Sequence, residues 1–141
     1  MRQSMRVVML LWVVRGLVGY TPTRAAASAA LATLSQQVAG GGVTVTATLS
    51  KNHVGATVVT VGLDTHSVSL DGYKFEEIEL LRDASGKTYP LEAVERVSGG
   101  GHHREAVLRF AKVAAEAKVI ELIVKDVAGI KERTFHWSTA E

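Results

Sequence analysis

Cysteine is absent from the chain. That excludes disulfides, thiolate metal sites, a cysteine nucleophile and the lipid anchor that a lipobox cysteine carries. Acidic residues are absent until Asp64, so the pI near 9.0 belongs to one end of the chain. Arg2, Arg6, Arg15 and Arg24 are four of the 16 basic residues; from residue 30 onward 12 basic side chains stand against 14 acidic ones, a net −2. No basic footprint remains there, and nucleic acid is not an expected partner. Methionine stops at Met9, which leaves the rest of the chain no thioether for copper(I). The apolar run Val7 to Val14 has eight residues, well short of the ~20 that span a bilayer.

What is present divides the chain into parts. Residues 1–29 have the features of a secretory signal peptide. Arg2 and Arg6 precede the apolar run, Pro22 follows it, and the small residues of RAAASA allow cleavage after Ala27 or Ala29. Arg15 interrupts the leader, and an uncleaved N-terminal anchor is the alternative. The expectation is export to the periplasm or the cell exterior, with no stable membrane span once the leader is removed. Residues 30–42 read as a linker, since Leu31, Leu34 and Val38 have helical spacing but three glycines follow at once. The folded domain is expected over 43–137, with 138–141 as a tail.

From Val43 the dominant period is two, the period of a strand with one face buried. Val43, Val45, Ala47 and Leu49 alternate with threonines, and residues 56–63 are apolar on both faces. Residues 64–75 follow as a connection, with a tight turn at Asp71-Gly72 and Tyr73 and Phe75 tucked beneath it. Residues 76–82 are expected to be a strand, with Ile78 and Leu80 on one face and Glu76, Glu77 and Glu79 as a solvated edge. A hairpin turn at 83–86 leads to 87–91, and a long loop is expected over 92–103. Strands over 105–110, 119–126 and 131–137 complete the pattern, with a helical turn at 111–118. Arg133, Phe135 and Trp137 share one face of the last strand. About seven strands, short connections and no long helix predict an all-β domain, an immunoglobulin-like antiparallel β-sandwich.

Alternating strand directions send alternate connections to opposite ends. On that count His66, His102 and His103 share one end with Asp64 and Asp126, while His53 and His136 fall at the other. Imidazole and carboxylate donors on one rim suit zinc or copper(II). The candidate set is Asp64, His66, His102 and His103, supported by Thr65, Ser67, Gly99, Gly100, Gly101 and Arg104. Adjacent His102 and His103 point to opposite sides of an extended chain, so one of them is expected as a first ligand. The same residues also suit a clasp, because Asp and Ser cap turn backbone and histidine can bridge two loops.

Catalysis has little support in the sequence. Asp64, His66 and Ser67 are too close in sequence for a nucleophile–base–orienter line. Ser85-Gly86-Lys87 lacks the frame of a phosphate loop, and the glutamates lack the ligand spacing of a calcium loop. The expectation is a protein that is not an enzyme.

The elements Leu63 to Val68 (LDTHSV) and Gly99 to Arg104 (GGGHHR) resemble those of a group of small exported bacterial proteins, mostly uncharacterised. The endings VKDV and RTFHW are also similar. That resemblance covers roughly residues 43–137 and implies an exported immunoglobulin-like domain. Two functional expectations follow: a binding module that takes zinc, copper(II) or a partner through its histidine rim, or a structural envelope domain that pairs with another envelope protein while the histidines only clasp the fold.

Overall fold

A computed structural model describes residues 34–50 and 53–139, so the leader expected at 1–29 lies outside the described residues. Nine strands form two antiparallel sheets among these residues. In chain order they are β1 (Ser35–Gly40), β2 (Val43–Ser50), β3 (Ala56–Thr65), the short helix α1 (Phe75–Ile78), β4 (Glu79–Asp83), β5 (Thr88–Tyr89), β6 (Leu91–Gly100), β7 (His103–Ala111), β8 (Val119–Val127) and β9 (Ile130–Ser138). One sheet has the order β1-β2-β3-β7-β6 and the other β5-β4-β8-β9. No helix among the described residues is long and apolar enough to cross a membrane.

The core lies between the sheets. Val43, Val45, Val59, Val61, Leu63, Leu108 and Phe110 face it from the first sheet, and Leu81, Leu122, Phe135 and Trp137 from the second, all buried. These are the apolar positions of period-two strands, and each large side chain taken fully from water contributes about 1.5–3 kcal/mol. The all-β expectation therefore holds.

Four expectations are corrected. Residues 35–40 are not linker but a strand, paired with β2 in the register Gly40↔Val43 to Ser35↔Thr48. The glycines that looked like a flexible tract are its turn: Gly41 and Gly42 both have positive φ (61° and 80°), which a tight two-residue hairpin requires. Residues 92–103 are no loop, because β6 runs to Gly100 and pairs with β7 through two register shifts. The turn at 111–118 is a single Ala114–Ala117 turn without helix. Finally, Ser138, assigned to a tail, closes β9 opposite Val119.

The strand expected over 76–82 starts three residues later and turns its other face to the core. Residues 75–78 coil into α1, so the strand begins only at Glu79 and the inward set becomes Glu79, Leu81 and Asp83. A one-residue shift in a strand exchanges its two faces. Glu79, expected at a solvated edge, is buried.

The two sheets are joined along one side by β1. Its backbone belongs to the first sheet, yet the Gln36 side chain donates to the His136 carbonyl (2.5 Å) and accepts from the His136 N–H (3.2 Å). Trp137 Nε1 donates to the Leu34 carbonyl and Arg133 Nη2 to that of Gly40. β1 thus satisfies groups of β9 that an open sandwich edge would leave unpaired.

Candidate functional site

The β1–β2 turn, the end of β3 with its connection to α1, and the β6–β7 turn meet at one end of the sandwich. Between them is a cleft of about 670 Å³ lined by Gly42, Thr44, Asp64, Thr65, His66, Ser67, His102 and His103. All four candidate donors read from the sequence are on this rim. His53 and His136 are elsewhere: His53 is exposed before β3, and His136 lies on β9, bonded through Nδ1 to Glu121 (3.2 Å). Asp126 is exposed near the end of β8, with a left-handed backbone (φ 55°), and does not line the cleft.

Asp64 and His103 are cross-strand partners on β3 and β7. Their side chains meet through Oδ1 and Nδ1, an exposed ion pair when the imidazole is protonated. The Asp64 hydrogen bond and charge, helped by Glu105, raise His103 above its ordinary value of 6.5. His66 lies just past the end of β3. The imidazoles of His66 and His102 are exposed and make no hydrogen bond among the described residues.

The loops are held together by other groups. Thr65, buried, donates its hydroxyl to the Gly42 carbonyl (2.7 Å) and accepts the Ser67 N–H (3.2 Å), while its own N–H donates to the His102 carbonyl (2.9 Å). Leu70 N–H donates to the Gly101 carbonyl, and Gly101 N–H to Asp71 Oδ1 (2.7 Å). That last bond draws the Asp71 carboxyl below its usual range. Arg104 Nη1 donates to the carbonyls of Leu70 and Tyr73, and its guanidinium lies 5.4 Å from the centre of the Phe75 ring. Gly99 is required as glycine: φ is 78°, and a Cβ there would collide with the His103 carbonyl. At Gly42 a Cβ would lie 2.6 Å from Ser67 Oγ.

These bonds form a loop clasp made of Thr65, Asp71, Arg104 and backbone groups; the side chains of His66 and His102, expected in it, make none of them. Asp71, Gly42 and Thr44 were not singled out from the sequence. Thr44 was visible only as an outward position of β2, and Gly42 was hidden in the presumed linker. Among the described residues no three or more His, Asp or Glu side chains are gathered closely enough to hold a metal ion. Compared with known proteins, the chain matches no family model, no curated protein and no solved structure.

Proposed function

We propose that this chain is an exported, immunoglobulin-like binding module that takes its ligand at the histidine rim. The order β2-β3-β7-β6 opposite β5-β4-β8-β9 corresponds to the A-B-E-D and C′-C-F-G sheets of immunoglobulin-like sandwiches, with β1 as an added edge strand. In such sandwiches the loops gathered at one end are a common place for binding. The leader features and the LDTHSV and GGGHHR elements support export and kinship with the small exported bacterial domains described above.

One observation carries the binding reading: the loop clasp is complete without the imidazoles of His66 and His102. Two exposed histidines with unused ring nitrogens flank the cleft beside the Asp64–His103 pair. Nitrogen and oxygen donors of this kind favour zinc or copper(II), and binding would bring His66 or His102 inward to join that pair. The alternative is a structural envelope domain that meets another envelope protein while the rim binds nothing.

The deciding experiment uses the full chain without a histidine tag and measures thermal unfolding with and without zinc or copper(II). An ion bound only by the folded state at about 100 times its Kd adds about 2.7 kcal/mol. The expected result is a rise in Tm that disappears in His66→Ala and His102→Ala, while both variants without metal melt like the parent. The absence of any metal-dependent rise, together with unchanged histidine NMR signals, removes the metal reading and leaves the structural one.

A further inference from the structure

At the rim end of β4, directly after α1, Glu79 faces the core and both of its carboxylate oxygens lack a hydrogen-bond partner. On the same inward row Val124 stands opposite it, and Arg133 stands beyond Val124. Arg133 is also buried, but two of its nitrogens are engaged by the Val127 and Gly40 carbonyls and it makes no ion pair with Glu79. Charged and titratable groups on the surrounding elements include Lys125, with Glu121 and Asp126, on β8; Arg133, with Lys131, Glu132 and His136, on β9; Arg104, with His103, Glu105 and Arg109, on β7; Tyr73 and Lys74 before α1; and Glu76 and Glu77 on α1. Glu95 and Arg96 on β6 are exposed, and β2 and β3 present Val43, Val45 and Leu63 to the core. Of these groups Lys125 favours the charged form, and burial outweighs it.

An ionised carboxylate without donors is not tolerated in such a place, whereas the neutral acid is. The position of this acid gives its charge a consequence. Glu79 is the residue at which α1 ends, and Phe75 and Ile78 of α1 hold the 66–78 connection onto the core. We propose that Glu79 is a proton-controlled latch: with its proton it seats the 66–78 connection, and loss of that proton to solvent drives the side chain outward and loosens the connection. Because that segment carries His66 and Ser67, the latch also sets the shape of the cleft; this consequence rests on the rim reading, while the latch itself does not.

The test needs no ligand. Carbon-detected NMR of the full chain follows the Glu79 carboxyl directly, and amide hydrogen exchange, corrected for the intrinsic pH dependence, follows residues 66–78. The expected result is a Glu79 titration well above 4.5, with exchange in 66–78 rising about tenfold through it. Exchange in β8 should stay constant, and Glu79→Gln should hold 66–78 protected throughout. If Glu79→Gln fails to fold, Glu79→Met serves in its place, and the carboxyl titration of the parent decides by itself. An ordinary carboxylate titration, or equal exchange in parent and variant, overturns the latch. Zinc or copper(II) titrations on either side of the transition then separate the two ideas: loosening without any metal binding retains the latch and rejects the metal-binding rim.

Discussion

β4 carries a buried carboxylate at each end, and the two have opposite electrostatics. Asp83 accepts from the Ser85 N–H (2.9 Å), the Ser85 hydroxyl (2.5 Å), the Lys87 N–H (3.2 Å) and the Tyr89 hydroxyl (2.8 Å). Those donors lower its pKa from 3.8 to about 2. Glu79, four residues earlier on the same inward face, has no donor, and burial raises its pKa well above 4.5. Burial alone therefore predicts neither the charge state nor the contribution to stability; the number of donors aimed at the carboxylate does. The hairpin turn supplies donors at the Asp83 end, because an Asx-type turn directs successive N–H groups at one side chain. At the Glu79 end the backbone has just left a helix and offers none.

The contrast can be broken first at Asp83. Asp83→Asn leaves the hairpin donors facing an amide that cannot accept them all, and Tm is expected to fall by roughly 10 °C. The folded-state pKa is depressed, so its contribution is present above 3.8 and is lost as pH falls through about 2. Unfolding curves measured from pH 2 to 5 should show that loss in the parent and a much flatter profile in the variant.

The opposite change is expected at Glu79. Glu79→Gln should raise stability at pH 7 by about 1–3 kcal/mol in urea unfolding, since removing an unpartnered ionisable group relieves a penalty of that order. The sign follows from the raised pKa: the stability associated with the neutral acid is complete below 4.5 and is lost as pH rises through the folded-state value. A variant less stable than the parent at every pH would place an unseen partner on Glu79.

The smallest effect is expected at the rim, where a carboxylate has one partner and open solvent. Asp64→Asn should return the His103 pKa toward 6.5 while changing stability by less than about 1 kcal/mol, because exposed pairs are screened. The raised imidazole pKa makes that small contribution complete below 6.5 and lost as pH rises through the folded value. Histidine NMR titration reads the shift, and thermal unfolding the small stability change.

Much of this arrangement was legible in the residues. Alternation located β2, β7 and β9 and placed Arg133, Phe135 and Trp137 on one face, while apolar runs located β3 and β8. Counting connections put Asp64, His66, His102 and His103 on a common rim. Glycine was the main source of error. Gly40-Gly41-Gly42 suggested flexibility where two left-handed residues close a hairpin, and Gly99 to Gly101 suggested a loop where β6 ends and turns into β7. A glycine permits both outcomes, and the strand paired beside it decides between them. At 75–83 local preference and alternation competed, and the segment used both, which reversed the faces of the strand that follows.

The sequence by itself determined the all-β class and the strands whose period of two is sustained, because burying one face of a pleated strand demands that pattern locally. It also determined which end of the sandwich gathers the histidines, since chain direction alternates whatever the details of packing. Only the tertiary structure decided that Glu79 lies in the core without a donor, that Arg104 and Asp71 rather than the histidines fasten the rim, and that Gln36 covers the backbone of β9. Each of these depends on groups 30 to 100 residues apart meeting at hydrogen-bond distance, or failing to meet. Local pattern carries no information about such meetings, because they are fixed by how the two sheets stack.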